Sequence, residues 1–469
     1  MLFPTLQFAL FFGIVLILHR NVPRGARAGI LLGASLLFYA LWIPPYLLLL
    51  LADIGVNYLL LQAIQRGRRR KLWLCISIVF TLGLLAGFKY AMPIAEAVVG
   101  WWEWGTPSPG FLPQVILPLG ISFYSFQIVG FAVDAYRRDT GEESVPLGRY
   151  ALFIAFFPQL IAGPILRGRE MLPQLARGGQ VDRERDRRGI RFLAWGLFKK
   201  VVLSDFLLAP FVNIVFLSPG DAGFEIHWIA IYAFAFQIYF DFSGYTDMAR
   251  GLALLLGYEL PDNFLEPYLS RGPSEFWRRW HITLSRWLRD YLYIPLGGNR
   301  RSLSRTHVNL LLTMLLGGLW HGAGWTFVAW GAMHGILLSL ERAIGWHSQG
   351  PGERLQWRDA PRIFVFFHLT CLSWVFFRAE SLGDALDFMG GLFGSAGVSG
   401  VPLLPTLTVL FCAALHGVER WVRTRPASSA DPFPSRAWSG AMEAAVLGLV
   451  LAAVVAASGT GAEFIYFQF

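Results

Sequence analysis

Apolar stretches near the roughly 20 residues needed to cross a bilayer recur from one end of this chain to the other. There are roughly ten to twelve, some too short or too broken to span alone. No soluble domain of useful size fits between them. Composition agrees: of 469 residues, 55% are hydrophobic and 15% charged, with mean hydropathy +0.48, whereas a soluble domain carries roughly a quarter charged residues. The fold class expected is all-α: a polytopic transmembrane helical protein with re-entrant segments and interfacial amphipathic helices, residues 1–469 forming a single membrane domain.

The formal net charge of +9 sits in short clusters between apolar stretches rather than along one face. That distribution marks cytoplasmic loops, not a nucleic-acid surface. Cys75, Cys371 and Cys412 each lie inside an apolar run without CxxC or Cys/His spacing, so they read as packing residues and no metal site is signalled. Residues 3–18 have no basic region before them and no small-residue cleavage site after them, which makes them a first span rather than a signal peptide.

Loop charges give one orientation. Arg20, Arg24 and Arg27 follow the first span, and Arg66, Arg68, Arg69, Arg70 and Lys71 follow the third, with Pro44-Pro45 turning the chain between the second and third. Both basic loops are then cytoplasmic and the N-terminus outside. A fourth span, 72–92, leads to an outer loop with Trp101, Trp102 and Trp104, and the next returns to Arg137 and Arg138. Residues 151–166 are short, interrupted by Pro158 and Gly163-Pro164, and flanked by basic loops; they read as a re-entrant segment lining a cavity or as a kinked span.

Residues 258–308 form a polar, basic block in which Trp277, Trp280, Trp287, Tyr291 and Tyr293 alternate with arginines, as in amphipathic helices at a cytoplasmic interface. Spans within 310–340 follow, then basic Arg354, Arg358 and Arg362, an outer glycine-rich loop, a span ending at Arg420, Arg423 and Arg425, and a last span that leaves 464–469 outside. No internal repeat of the transporter kind is visible.

Three of the nine histidines cluster: His281, His321 and His334. The others sit at span ends, in a basic loop or within late spans, as packing histidines do. A helix rising from the cytoplasm over 308–320 climbs only ~20 Å of a ~30 Å core, so His321 falls inside the membrane beyond its middle. A neutral imidazole there is able to act as a general base, or it is a structural hydrogen-bonding group. Asp241 and Asp247, six residues apart, do not share a helix face and read as orienting or cavity-lining groups; Asp53 and Asn57, one turn apart, read as interhelical glue. No GxSxG elbow, Walker loop, HExxH or GxGxxG is present.

The run from Phe276-Trp277-Arg278-Arg279-Trp280-His281 through Leu296-Gly297-Gly298-Asn299-Arg300 resembles the membrane-bound O-acyltransferase family, and within it the bacterial branch of alginate O-acetylation. Leu117-Pro118-Leu119-Gly120-Ile121, Phe157-Pro158-Gln159-Leu160, Phe240-Asp241-Phe242-Ser243-Gly244-Tyr245 and the terminal Phe464-Ile465-Tyr466-Phe467-Gln468-Phe469 add to it, so the likeness covers nearly the whole chain.

The resemblance implies an acetyltransferase of the bacterial inner membrane. Its donor would be acetyl-CoA or another acetyl thioester from the cytoplasm, with no bound cofactor. Its end product would be an O-acetylated exopolysaccharide outside, alginate-like or cellulose. His321, in Trp320-His321-Gly322, falls on the catalytic position, and His281 lines the same tunnel. His334 and Asp241 are supporting candidates, and Arg278 and Arg279 either hold donor phosphates or anchor to anionic lipid. A separate extracytoplasmic acetyl-accepting protein and a polysaccharide synthesis complex are the implied partners. A transporter or flippase and a non-catalytic scaffold remain the alternative readings.

Overall fold

The computed structural model describes residues 3–102, 116–140, 144–161, 163–346, 355–394, 397–423, 440–458 and 465. Trp104, His347, Arg354, Arg425 and most of 464–469 lie outside the described residues, as do the side chains of Trp101 and Trp102. Among the described residues there is no strand, only an isolated parallel bridge between Ala222 and Val398. The chain divides into two compact units: residues 1–186 with 252–260, and residues 187–251 with 261–469.

The first unit comprises α1 (Leu6–Asn21), α2 (Arg24–Ala40), α3 (Pro44–Arg66), α4 (Arg70–Trp102), α5 (Ile121–Arg137), α6 (Leu147–Ala155), α7 (Phe157–Leu160) and α8 (Gly168–Arg177). Local chemistry sets its boundaries. The Thr5 hydroxyl accepts from the Phe8 amide to start α1, and Pro44 occupies the first turn of α3, where a missing N–H costs nothing. Asp53 and Asn57 bond to each other at 2.7 Å as expected, and Asn57 also takes hydrogen bonds from Ser77 (2.7 Å) and Thr81 of α4. These polar groups are buried, so they tie α3 to α4 where the hydrophobic effect gives lipid-soaked helices no reason to associate.

The segment at 151–166 breaks at Phe156, between α6 and α7, and Tyr150 to Ile161 are all buried. The backbone freed by the break finds a partner, the Phe157 amide donating to Ser35 Oγ at 3.2 Å, and the Gln127 side chain donates to that of Gln159 at 3.1 Å beside it. Broken backbone held inside protein is the arrangement that membrane depth permits.

The second unit takes over within α9 (Arg183–Leu197), which with a π-helix (Phe198–Leu208) and α10 (Ala209–Leu217) makes one continuous run. It is followed by α11 (Phe224–Leu255), α12 (Pro273–Trp277), α13 (Ile282–Leu288), α14 (Leu303–His321), α15 (Trp325–Ala343), α16 (Ala360–Arg378), α17 (Leu382–Gly391), α18 (Leu403–Arg423) and α19 (Gly440–Ala457). Glycine lets backbones meet. A Cβ on Gly196 would lie 2.5 Å from the Gly244 carbonyl oxygen, and one on Gly251 would lie 2.7 Å from that of Gly189, so α9 and α11 touch through glycines.

Among the described residues five helical runs are long and apolar enough to cross a membrane: 44–66, 70–91, 183–217, 357–378 and 403–423; Leu6–Asn21 and Glu443–Ala457 are shorter apolar helices. Other apolar stretches are too short, as with the 17 residues of α2 and α5, while α11, α14 and α15 are long enough but trade apolar residues for buried polar ones such as Asp241, Thr313, His321 and His334. Large aliphatic side chains crowd the outside instead, with Leu6 76%, Leu48 70% and Val79 71% exposed in the first unit and Ile214 70% and Leu449 72% in the second. The protein is a multi-pass helical membrane protein.

Candidate active site

From residue 261 onward, the block at 258–308 is tucked into the second unit more than it is spread on a surface. Glu275, Phe276, Arg279, Trp280 and His281 are all buried, while Arg278, Arg286, Arg289, Arg300, Arg301 and Arg305 remain exposed. One acid organises the buried part. Glu275 accepts from Arg271 Nε at 2.9 Å and from Arg279 Nη2 at 2.7 Å. Burial by itself would raise the Glu275 carboxyl, but these hydrogen bonds outweigh it and hold the group below its ordinary value. At its start, α12 is fastened to α15, where Glu341 accepts from the Ser274 amide at 3.0 Å.

His281 precedes α13 with φ = 41°, the left-handed region, at a cost of about 1–2 kcal/mol. Neighbouring chain holds it there. Asn263 O accepts from the Ile282 amide at 3.0 Å, Asn263 Oδ1 accepts from the Thr283 amide at 3.1 Å, and the Leu265 amide donates to Arg279 O at 2.9 Å. The imidazole is wholly enclosed, packs against Phe242 with ring centroids 4.7 Å apart, and is pushed by burial down to about 3, so it is neutral.

His321 is the last residue of α14, a helix begun by the Ser302 hydroxyl accepting from the Arg305 amide. Nineteen residues give a length of about 28 Å. Gly322 to Gly324 then turn the chain into α15, which packs tightly along α14. A Cβ on Gly331 would run into the Met314 carbonyl oxygen, and one on Gly318 into that of Phe327. This hairpin brings the histidines together through tryptophans. Trp320 lies 6.2 Å from His281 and 4.8 Å from His321, and Trp330 lies 5.1 Å from His321 and 4.9 Å from His334, between ring centroids. Phe377 of α16 closes over His321 at 5.2 Å.

His334 is fully buried, with Nε2 3.1 Å from Ser373 Oγ. Because that hydroxyl already donates to Thr370 O at 2.7 Å, Nε2 carries the proton and Nδ1 is left as an acceptor. Beside this cluster lies a cavity of about 640 Å³, the size of an ordinary small-molecule pocket, with Trp277, Met314, Arg278, Arg286 and Arg289 in its wall. Met314 is about two helical turns before His321 on α14. At the cavity edge Arg278 is lowered by partial desolvation yet stays cationic at neutral pH, Arg289 pairs with Asp290 at 2.6 Å, and Arg286 has no carboxylate partner among the described residues.

Two candidate residues stand apart. Arg279 does not wall the cavity, because Glu275, one turn earlier, holds it in a fully buried ion pair. Asp241 turns away from the histidines: it pairs with Lys200 at 2.6 Å, and its Oδ2 accepts from the Ile465 amide at 2.7 Å. Lys199 beside it pairs with Asp247 at 3.0 Å and Glu419 at 2.8 Å, and Tyr239 also donates to Glu419. Sequence reading passed over both lysines, although cations inside a long apolar run are themselves a signal. It also missed Trp330, which sits one turn before His334 on the same helix face. Among the described residues no group of three or more His, Cys, Asp or Glu is placed to hold a metal ion.

Residues 135–376 match the model of the membrane-bound O-acyltransferase family. The chain is 37% identical to the probable alginate O-acetylase of Pseudomonas putida, with 98% of each covered, and 41% identical to that of Azotobacter vinelandii over 82% of this chain and 76% of the relative. It is also 40% identical to the peptidoglycan O-acetyltransferase of Helicobacter pylori, over 78% of this chain and 73% of the relative.

Proposed function

Since the chain belongs to the membrane-bound O-acyltransferase family and is an O-acyltransferase, we propose that it passes acetyl groups from a cytoplasmic thioester through the inner membrane to an exopolysaccharide. The observation that carries this reading is that His281 and His321 both pack edge-on to Trp320, 6.2 Å and 4.8 Å from it between ring centroids, next to an arginine-edged cavity. Acetyl-CoA or another acetyl thioester would enter that cavity with its phosphates toward Arg278 and Arg286, which suits guanidinium chemistry. The acceptor hydroxyl would approach His321 from the other side.

In the reaction, His321 takes the proton of the acceptor hydroxyl as its oxygen attacks the thioester carbonyl carbon, and later returns it to the departing thiolate. His281, neutral and held rigidly, orients the acceptor across Trp320, and His334 supports the packing of Trp330. Arg279 and Asp241 serve the frame instead. Alginate is the favoured polymer because two of the relatives cited carry that name, and cellulose or peptidoglycan fits the same chemistry. An extracytoplasmic acetyl-accepting protein would hand the group on within a polysaccharide synthesis complex.

The test is acetyl-ester content of exported polymer in cells carrying His321→Ala, with the membrane abundance of the protein measured in parallel. The expected result is loss of more than about 100-fold at unchanged abundance. A transporter or a non-catalytic scaffold would keep acetylating, and that outcome removes this reading.

A further inference from the structure

Around His321 and His334 lies a set of buried polar atoms that find no hydrogen-bond partner among the described residues. Trp330 and Trp374 are buried to 1% and 0% exposure, and among the described residues their indole nitrogens, like that of the half-buried Trp277, have no hydrogen-bond partner; neither does His334 Nδ1. The three indoles are neighbours, with Trp277 5.8 Å and Trp374 6.0 Å from Trp330 between ring centroids. An indole N–H is a donor only and does not ionise near neutral pH, so it can be kept dry in a membrane protein more cheaply than a cation. A buried donor left unmatched is nonetheless unfavourable, and such groups call for an acceptor that arrives.

Position distinguishes the three. Trp277 walls the cavity, Trp374 packs among Trp280, Phe276 and Phe377, and Trp330 alone of the three has His321 as a ring neighbour, at 5.1 Å and nearly perpendicular. We infer that Trp330 is a catalytic residue whose indole N–H receives the thioester carbonyl oxygen of the acetyl donor and holds the negative charge that develops on it. The inference rests on the acyl-transfer reading of His321.

The chemistry balances without any further reagent. As the acceptor oxygen bonds to the carbonyl carbon, its proton passes to His321 and the carbonyl π pair moves onto oxygen, where the Trp330 N–H meets it. Collapse restores the C=O bond and breaks the C–S bond, and the proton on His321 goes to the thiolate. Trp277, unmatched and nearer the cavity, offers the same carbonyl a donor on the way in.

The experiment replaces Trp330 by Phe, and separately by 3-benzothienylalanine, which keeps the two-ring shape and puts sulfur where the N–H was. Cells are pulsed with radiolabelled acetate, and initial acetylation of exported polymer is taken per copy of protein, beside the melting temperature of the purified full chain. Both variants should lose about 100- to 1,000-fold in rate with abundance and melting temperature unchanged, the effect of removing one oxyanion donor. Trp374→Phe should stay within about threefold of the parent. The inference is overturned if the benzothienyl variant stays within about threefold of the parent, if rate falls only together with melting temperature, or if Trp374→Phe is the one that fails. His321→Ala is run alongside: if it keeps its rate, the acyl-transfer reading falls, whereas loss there with a normal Trp330→Phe removes the oxyanion role alone.

Discussion

Arg278 and Arg279 are adjacent in sequence and opposite in circumstance. Arg278 is exposed and edges the cavity, while Arg279 is wholly buried against Glu275. Removing one partner of a buried pair leaves an unmatched charge and costs about 3–5 kcal/mol, so Arg279→Ala should lower the amount of folded protein in membranes. Arg278→Ala and Arg286→Ala should leave abundance intact and raise the apparent KM for acetyl-CoA about tenfold each, the loss of one charge-assisted hydrogen bond. Immunoblots and initial rates at graded acetyl-CoA separate the two classes. The burial of His321 at the end of α14 was legible in the sequence, because an imidazole among apolar residues falls inside the fold. The fate of Arg279 was not, because Glu275 stands four residues before it but also three before Arg278. Spacing alone does not say which guanidinium turns inward; the packing of Phe276 and Trp280 decides that.

Among the elements, the hairpin of α14 and α15 positions the proposed site, and its geometry depends on small residues. Gly331→Val would drive a branched side chain into the Met314 carbonyl and push the helices apart, at a cost of about 3 kcal/mol or more. The variant should accumulate poorly and melt early in detergent, whereas Ile336→Val, on an exposed position of the same helix, should be silent in both measurements. The sequence showed two apolar stretches separated by Gly322 and Gly324, so the hairpin was readable. The π-helix at 198–208 was not, since its widened turn is a compromise with what surrounds it: Lys199 must meet Asp247 and Glu419 while Lys200 meets Asp205 and Asp241. Propensity along one strand of sequence does not contain those partners.

At the scale of the whole molecule, the membrane class followed from composition, because no arrangement in water would cover so much apolar side chain. Orientation is a separate matter, set by loop arginines. In a Cys75→Ser background, Leu41→Cys should react with a membrane-impermeant maleimide from the periplasm, and Arg68→Cys should react only after the inner membrane is opened. The reverse pattern would turn the molecule over. The outward leucines have one more consequence. With Leu6, Leu48 and Leu449 each about 70% or more uncovered by protein, a large part of what stabilises the fold is supplied by whatever amphiphile surrounds it. A melting temperature of this protein is therefore a property of a pair, chain and detergent together. Variants are comparable only within one micelle or lipid, and changing the chain length of the detergent will reorder their stabilities as surely as changing a residue.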